Sequence, residues 1–323
     1  MNESLPSKTC LYVAAGRALG ARDPDPAVRN PDYLAERLLG PLERELVAEQ
    51  ACVQALDQEY SEALKNREAI GSALMMQVRT RFIEERLADA IRNGATQVVI
   101  LGAGFDTRAY RLTDLLRNTR VFEVDRASTQ EYKMRRIREA DIEVPANVTF
   151  VPVDFRHGEL DGALREAGYD SSQVTFFIWE GVTMYLPEVA IEETLRWIAS
   201  QAPGSEIVFD FVYRGVIDFL TNISLDQLPE QARPGVARVQ KLEAGEPWIF
   251  GITKGEEAAF LEKVGLTLVE RMPVGGKESR SRYLTRSDGS FYIPIQIPEQ
   301  WPQANSGDEN VFYCLAVARG RQS

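Results

Sequence analysis

The chain has 323 residues, of which 44% are hydrophobic and 26% are charged, an ordinary composition for a globular protein with a substantial core. Its formal net charge of −11 argues against general binding to nucleic acid or anionic membranes, because phosphate groups attract a basic surface. The three cysteines are far apart in sequence, no signal peptide is evident and no apolar run is long enough to span a membrane. These features favour a reduced, cytoplasmic protein.

Residues 1–93 are predicted to form a helical cap. The prolines of Asp23-Pro-Asp-Pro26 interrupt any helix near the N-terminus. From residue 31 onward, apolar side chains recur at intervals of three and four residues, which is typical of amphipathic helices. Gly94 is a stop signal for the last of these helices, which carries Arg79 and Arg81.

Residues 94–323 are predicted to form an α/β domain, because strands and helices alternate along the chain. We expect a mostly parallel sheet of seven strands with helices on both faces. The predicted strands are 97–101, 120–124, 148–153, 174–179, 205–212, 266–272 and 311–318. The predicted helices are 107–118, 127–141, 159–167, 187–201 and 256–264. The last two strands are not separated by an obvious helix, so we expect an antiparallel pair at one edge.

Two insertions interrupt the alternation, at about 213–255 and 273–310. The first, with a helical piece around 235–243, is expected to cover the functional site together with residues 1–40, because additions at strand ends commonly do so. The second contains Asp288-Gly289, a signal for a hairpin turn. It is predicted to be either a lid or a contact in an oligomer, and the sequence leaves a homodimer open.

The most informative motif is the run Val98-Val-Ile-Leu-Gly-Ala-Gly-Phe-Asp106, in which a buried strand leads into Gly102-Ala103-Gly104. Two glycines let the backbone turn sharply and approach a ligand closely, and ligands of open α/β sheets bind at the carboxyl ends of the strands. The motif has neither the third glycine of a dinucleotide-binding loop nor the lysine of a phosphate loop. Asp106 would repel phosphate and suit a cationic ligand.

Adenosylmethionine carries an ammonium and a sulfonium but no phosphate, and further residues suit its other parts. Asp125 ends the next strand about twenty residues later, where nucleoside-binding folds place a carboxylate on ribose hydroxyls. Asp154 and Phe155 follow the third strand and suit the adenine amine and ring. Glu180 ends a predicted central strand, where an unpaired acid would be costly, so we expect it to face the cleft near the ammonium. Tyr185 is expected to line the acceptor side.

Three motifs resemble the leucine carboxyl methyltransferase family: Leu101-Gly-Ala-Gly-Phe-Asp-Thr-Arg-Ala-Tyr-Arg-Leu112, Phe122-Glu-Val-Asp125 and Trp179-Glu-Gly-Val-Thr-Met-Tyr-Leu186. The family comprises class I adenosylmethionine-dependent methyltransferases, including protein carboxyl methyltransferases and bacterial polyketide-type O-methyltransferases. The resemblance covers roughly residues 70–215. It implies the seven-stranded Rossmann-like methyltransferase sheet, adenosylmethionine as the cofactor, and an arginine on the helix before the glycine strand for the cofactor carboxylate. Arg79 is the match, and Arg81 is interpreted as a surface cation.

The predicted activity is therefore O-methyl transfer to a carboxylate or acidic hydroxyl of a small molecule, such as a polyketide-type metabolite. Glu180 and Tyr185 are the predicted positioning residues of the catalytic site. The sole histidine, His157, lies on the adenine side by this interpretation, so we expect neither a histidine base nor a metal site. The basic run Lys133–Arg138 is interpreted as a solvated helix face.

Three alternative functions stay open from the sequence. The first is methylation of a protein C-terminal carboxylate. The second, a dinucleotide-dependent reductase, is disfavoured by Asp106 and the missing third glycine. The third is a binding protein that retains the adenosylmethionine pocket without turnover.

Overall fold

The protein is described here from a computed structural model, which defines residues 6–155, 160–228, 230, 233, 236–237, 240, 246–292 and 312–320. Six helices precede the first strand. They are α1 (Lys8–Gly20), α2 (Ala35–Leu38), α3 (Pro41–Leu46), α4 (Ala51–Leu56), α5 (Tyr60–Ala63) and α6 (Arg67–Arg92). Among the described helices, none combines the length and apolar character needed to cross a bilayer.

The described strands form one seven-stranded sheet in the order β3-β2-β1-β4-β5-β7-β6. They are β1 (Gln97–Leu101), β2 (Arg120–Asp125), β3 (Val148–Pro152), β4 (Thr175–Trp179), β5 (Glu206–Val212), β6 (Leu266–Pro273) and β7 (Tyr313–Gly320). The first five strands pair in parallel, and β7 is antiparallel to both β5 and β6. The predicted fold class and its antiparallel edge are confirmed.

In the part of the chain that the structure describes, eight α-helices accompany the sheet. They are α7 (Arg108–Arg111), α8 (Thr113–Leu116), α9 (Ala127–Glu139), α10 (Leu160–Glu166), α11 (Glu188–Ala199), α12 (Arg214–Asn222), α13 (Glu257–Lys263) and α14 (Lys277–Tyr283). The prediction of one helix over 107–118 was wrong, because the chain changes direction at Leu112 (φ −101°, ψ 33°) and forms two short helices. The last two strands are separated by α14, whereas no helix was predicted there.

Alternating side chains of the strands build a core on each face of the sheet. Val98 and Ile100 point to the face that packs on α1 and α6, whereas Val99 and Leu101 point to the face covered by α10, α11 and α13. Every residue of β1 is buried. Helices on both faces explain why the central strands β1 and β4 are buried at every residue rather than at alternate ones.

Helix α1 is built into the first of these cores. Ser7 caps its N-terminus by accepting hydrogen bonds from the backbone N–H groups of Thr9 (3.1 Å) and Cys10 (3.4 Å). Gly16 allows a close approach to α6, since a Cβ there would lie 2.9 Å from Met76 Cγ. The N-terminal helices therefore share one hydrophobic core with the sheet.

The described part of the second insertion packs on the N-terminal region. The predicted turn is present, with Gly289 at φ 83° and an antiparallel bridge between Thr285 and Phe291. Arg286 forms an ion pair of 2.9 Å with Asp23. Residues 293–311, which include the aromatic Trp301, and most of the predicted helical piece at 235–243 lie outside the described residues.

Candidate active site

The glycine turn after β1 has the backbone conformation that its sequence predicts. Gly102 and Gly104 have positive φ angles of 69° and 36°. The N–H groups of Gly102 and Ala103 donate to the carbonyl of Val124 on β2, at 2.8 and 3.0 Å. A Cβ on Gly102 would lie 2.4 Å from Val182 Cγ2, so a side chain is excluded both by strain and by packing.

Asp125 joins the turn from the end of β2. One carboxylate oxygen accepts a hydrogen bond from the Gly104 N–H (2.7 Å), and the other accepts from the Arg126 N–H (2.7 Å). Burial raises the pKa of this carboxyl group above its ordinary value, against the effect of these two N–H donors. The parallel pairing of β1 with β2 therefore places the acid and the glycines at one edge of the sheet.

A cavity of about 420 Å³ opens at this edge, above the carboxyl ends of β1 to β4. It is also lined by α1 and by residues 246–249. Every site residue predicted from the sequence lines this cavity: Arg79, Gly102, Ala103, Gly104, Asp106, Asp125, Asp154, Phe155, Glu180 and Tyr185. The structure thus brings together residues that are up to 106 positions apart in the sequence.

Glu180 lies in a cluster of arginines at one end of the cavity. Its carboxylate accepts a hydrogen bond from Arg108 (2.6 Å) and contacts Arg79 Nε at 2.7 Å, and Arg17 lies 3.9 Å away. Burial opposes ionisation, but the three arginines hold the pKa of Glu180 below its usual range. The Glu180 carboxylate is therefore ionised and already paired with arginines of the protein. The sequence had predicted only that it faces the cleft.

Asp106 also has an internal partner. Its carboxylate accepts hydrogen bonds from the backbone N–H of Arg108 (2.7 Å) and from the Arg108 guanidinium. Asp106 lines the cavity as predicted, but its negative charge is balanced within the protein. A cationic ligand consequently meets the combined field of the acids and arginines rather than that of Asp106 alone.

Asp210 supports the loop that carries Glu180. It is fully buried near the end of β5, and its carboxylate accepts hydrogen bonds from the Gly181 N–H (2.7 and 3.0 Å) and from the Tyr313 hydroxyl. Arg79 lies 3.5 Å from the same carboxylate and donates to the Tyr313 hydroxyl at 2.9 Å. Burial raises the pKa of Asp210 to about 6, although Arg79 acts to lower it.

A second buried ion pair lies beneath the glycine turn. Lys133 donates to Glu123 at 2.7 Å and is only 1% exposed. The prediction that residues 133–138 form a solvated helix face was therefore wrong at Lys133. Glu123 points out of β2 into the core on the α9 side, and its charge draws the lysine inward. Glu123, a charged residue within an otherwise apolar strand, was the sequence signal that a buried cation would be needed nearby.

A model of the family described as leucine carboxyl methyltransferase matches residues 10–199, more than half of the chain. The chain belongs to this family. Membership makes it an adenosylmethionine-dependent methyltransferase, and it confirms the resemblance noted in the three motifs. The match includes most of α1, all of α6 and the first four strands, so it covers most of the cavity-lining residues but not Ser7, Thr9 or the residues at 246–249.

Relatives of similar length support this assignment. A protein of Mycobacterium ulcerans named "Putative S-adenosyl-L-methionine-dependent methyltransferase" is 36% identical over 216 residues, covering 65% of this chain and 68% of the relative. One of the same description from Frankia alni is 33% identical over 211 residues, covering 65% and 70%.

Solved structures show the same fold at low sequence identity. A DUF574 family protein of Streptomyces avermitilis has a TM-score of 0.52 at 15% identity, over 95% of this chain and 97% of that one. A protein described as a putative methyltransferase of Thermobifida fusca has a TM-score of 0.51 at 16% identity, over 99% and 96%.

The cavity of this methyltransferase fits the family's cofactor. Among the described residues, Glu180 Oε1 and Arg79 Nε are buried and have no hydrogen-bond partner, although they contact each other as an ion pair. A carboxylate and a guanidinium at one end of the cavity suit the ammonium and carboxylate groups of adenosylmethionine. The glycine turn and Asp125 both line this space.

Asp154 and Phe155 form another part of the wall. The Phe155 ring lies 6.1 Å from that of Trp179, so the cavity has an aromatic surface beside an acid. His157 lies outside the described residues.

Several cavity residues were not predicted from the sequence. Arg17 comes from α1, where it donates to the Phe105 carbonyl (2.7 Å) and pairs with Asp32 (2.8 Å). Cys10 lies against the glycine turn, and Glu246 belongs to the first insertion. None of the three cysteines forms a disulfide. These residues carry no local motif, so only their tertiary neighbours reveal them.

Arg81 has the position expected of a residue outside the cavity. Its guanidinium donates to the carbonyls of Pro26 (3.1 Å) and Ala27 (2.8 Å) and so holds the N-terminal loop on α6. It does not belong to the cavity lining. The choice of Arg79 over Arg81 as the site residue agrees with this geometry.

Proposed function

We propose that this methyltransferase transfers a methyl group to an oxygen atom of a small molecule bound in the cavity. The observation that carries the proposal is the gathering of every predicted cofactor residue around one cavity, which continues into a wall formed by α1, residues 182–186 and residues 246–249. The cavity of about 420 Å³ lies at the carboxyl ends of the strands, where the strand order reverses between β1 and β4, and this is a common ligand site in α/β sheets.

Each part of the cofactor is matched by a residue at this edge. Asp125 accepts hydrogen bonds from the ribose hydroxyls, and Asp154 with Phe155 holds the adenine. Arg79 binds the carboxylate and Glu180 binds the ammonium, because opposite charges are paired within hydrogen-bond reach. When bound, adenosylmethionine supplies an electrophilic methyl group on a sulfonium whose leaving group is a neutral thioether.

The protein acts mainly by positioning and by excluding water. Methyl transfer is an in-line displacement, so the side chains must hold the acceptor oxygen close to the methyl group along the axis to sulfur. Tyr185 lines the wall on the proposed acceptor side and is held by a hydrogen bond from Trp248 Nε1 (3.3 Å).

We propose that residues 1–40 and the first insertion form a cap over this side. A cytoplasmic location and a homodimer stay predictions from the sequence.

Titration calorimetry with adenosylhomocysteine and with NAD tests the cofactor assignment. We expect adenosylhomocysteine to bind with a free energy of about −7 to −8 kcal/mol, which is a low-micromolar affinity, and NAD not to bind. Binding of NAD without adenosylhomocysteine would overturn the proposal. A screen of acceptors with methyl-labelled adenosylmethionine, followed by mass spectrometry, then separates small-molecule O-methylation from methylation of a protein C-terminus.

A further inference from the structure

Three segments that are remote in sequence meet at one wall of the cavity. Ser7 Oγ donates to Glu246 Oε2 at 2.8 Å, and Trp248 Nε1 donates to the Tyr185 hydroxyl at 3.3 Å. The backbone N–H of Ile249 donates to the Met184 carbonyl at 2.8 Å. We call this surface, formed by the cavity-lining residues of 7–13, 182–186 and 246–249, the acceptor wall.

The acceptor wall is apolar with a few polar groups. Its aliphatic side chains are Val13, Val182, Leu186, Pro247 and Ile249. The hydroxyl groups of Ser7, Thr9 and Tyr185 lie among them. Among the described residues of this wall, Glu246 is the one carboxylate, and none is a lysine, arginine or histidine.

Among the described residues, the cations that line the cavity are Arg17, Arg79 and Arg126, and none of them belongs to the acceptor wall. Arg17 pairs with Asp32 at 2.8 Å, and Arg79 contacts Glu180 at 2.7 Å. Arg126 directly follows Asp125 in the chain, at the proposed ribose position. An anionic acceptor at the described part of the wall would therefore face the Glu246 carboxylate and no cation of the wall itself, in an apolar surrounding that strengthens the repulsion.

The phenol of Tyr185 and the thiol of Cys10 are the other titratable groups of the described wall, and both are neutral. Burial raises the pKa of the Tyr185 phenol and raises the pKa of the Cys10 thiol to about 11. Neither group is therefore an effective base near neutral pH, although Tyr185 can donate a hydrogen bond to an acceptor oxygen. A hydroxyl acceptor that must lose its proton has Glu246 as the available carboxylate.

We propose that the acceptor is a neutral, largely apolar phenol or alcohol and that Glu246 is the catalytic base that takes its proton. This inference rests on the proposed function and narrows the choice between carboxylate and hydroxyl. The acceptor oxygen forms the new O–C bond with a lone pair while the C–S bond breaks and its electron pair goes to sulfur. The hydroxyl proton goes to the Glu246 carboxylate, so charge and atoms balance.

Binding measurements test the charge preference without turnover. The protein is saturated with adenosylhomocysteine and titrated with three matched pairs: phenol and benzoate, 2-naphthol and 2-naphthoate, 4-phenylphenol and 4-phenylbenzoate. We expect the hydroxyl member to bind at least about tenfold more tightly than its carboxylate partner. In Glu246→Gln this preference should shrink to about threefold or less, because the negative charge is lost while the amide oxygen still accepts from Ser7.

Two control variants separate the base from a structural contact. Glu262→Gln removes the same charge from an exposed position on α13 and should keep the full preference. Ser7→Ala breaks the hydrogen bond to Glu246 but keeps the carboxylate, so it should also keep the preference for hydroxyls. If Ser7→Ala reduces the preference as strongly as Glu246→Gln does, Glu246 has only a structural role, through its hydrogen bond to Ser7, and the inference is wrong.

Turnover gives the second measurement. On the best hydroxyl acceptor of the series, Glu246→Gln should lower kcat at least about 100-fold, the scale of a lost general base, and keep the adenosylhomocysteine Kd within about threefold. Three outcomes would overturn the inference and leave the cofactor assignment intact. The carboxylates could bind as tightly as the hydroxyls or more tightly, a carboxylate could be methylated when its hydroxyl partner is not, or no member of any pair could bind. Failure of adenosylhomocysteine itself to bind would instead overturn the proposed function.

Discussion

At the scale of single residues, the site depends on acids whose charges are controlled by their neighbours. Asp125 is fixed by two backbone N–H groups, and Glu180 by arginines from three different helices. Each carboxylate is held in one orientation before any ligand arrives. Fixed charges of this kind lower the cost of binding, because fewer side chains must be ordered.

Replacement of Asp125 tests its proposed ribose contact. Asp125→Ala should weaken adenosylhomocysteine binding by about 2 kcal/mol or more, since charge-assisted hydrogen bonds to two hydroxyls are lost. Asp125→Asn should cost less, because one oxygen remains as an acceptor. Arg81→Ala, outside the cavity, is the control and should stay within about threefold of the wild-type Kd, measured by calorimetry. Equal losses in the Asp125 and Arg81 variants would show that the ribose lies elsewhere.

Asp210 should make the stability of the protein dependent on pH. Its pKa of about 6 in the fold exceeds the ordinary value of 3.8 for an aspartate, so the folded state binds more protons than the unfolded chain between these values. Its stabilising contribution is therefore complete below about pH 4 and is lost as the pH rises through 6. The groups that face it are Arg79, Glu180 and the Tyr313 hydroxyl.

Asp210→Asn removes this titration. The difference in the free energy of unfolding between wild type and variant should change by up to about 1.4 kcal/mol per pH unit between pH 4 and 6, in the direction that disfavours wild type at the higher pH. Urea unfolding at several pH values in this range measures it. A difference that does not vary with pH would contradict the raised pKa.

At the scale of elements, the turn from β1 places the glycines against the loop after β4. The parallel pairing of β1 with β4 sets Leu101 opposite Trp179, which brings Gly102 under Val182. The same pairing brings Glu180 beside the turn. Neighbouring strand ends therefore create the cavity, and their register determines which side chains line it.

Gly102→Ala should distort this junction. The new Cβ would combine a positive φ of 69° with a contact of 2.4 Å to Val182 Cγ2, so we expect a loss of about 2–4 kcal/mol in stability and weaker adenosylhomocysteine binding. Gly94→Ala is the matched control, since Gly94 has φ 98° but open space around its Cβ position. It should cost about 1 kcal/mol and leave binding unchanged.

A double variant isolates the packing part of the effect. Val182→Ala in the Gly102→Ala background should recover part of the lost stability in chemical denaturation, because the atom that clashes is removed. Strain from the positive φ would remain. No recovery would mean that backbone strain alone explains the loss.

At the scale of the whole molecule, the N-terminal helices and the sheet share a core. Leu19 on α1 is fully buried in the same hydrophobic cluster as Val98 and Ile178 of the sheet. Helix α1 also supplies Arg17 and Cys10 to the cavity. Stability and ligand binding are thus coupled through one element.

Leu19→Ala should therefore destabilise the molecule as a unit. We expect the free energy of unfolding to fall by about 2–5 kcal/mol, the range for a buried leucine. Hydrogen exchange of α1 amides and tryptophan fluorescence should report one common denaturation midpoint in wild type and variant. Earlier unfolding of α1 with an unchanged midpoint for the rest would show that residues 1–93 unfold separately.

Much of this architecture was determined by the sequence itself. Six of the seven strands begin and end within one residue of their predicted bounds, and the strand predicted at 311–318 spans Tyr313–Gly320. The glycine turn and the antiparallel edge were also predicted, because continuous apolar runs and glycines act locally. Candidate cofactor residues could be proposed for the same reason, since each occupies a fixed place relative to its own strand or helix.

Only the tertiary structure decided how these charges are balanced and what faces the acceptor. Arg108 neutralises Asp106, Lys133 turns inward to Glu123, and Glu246 meets Ser7 across 239 positions of sequence. No period or motif encodes such pairs. They arise where packed elements bring distant side chains into a region of low dielectric, in which each buried charge must find a partner or stay near solvent.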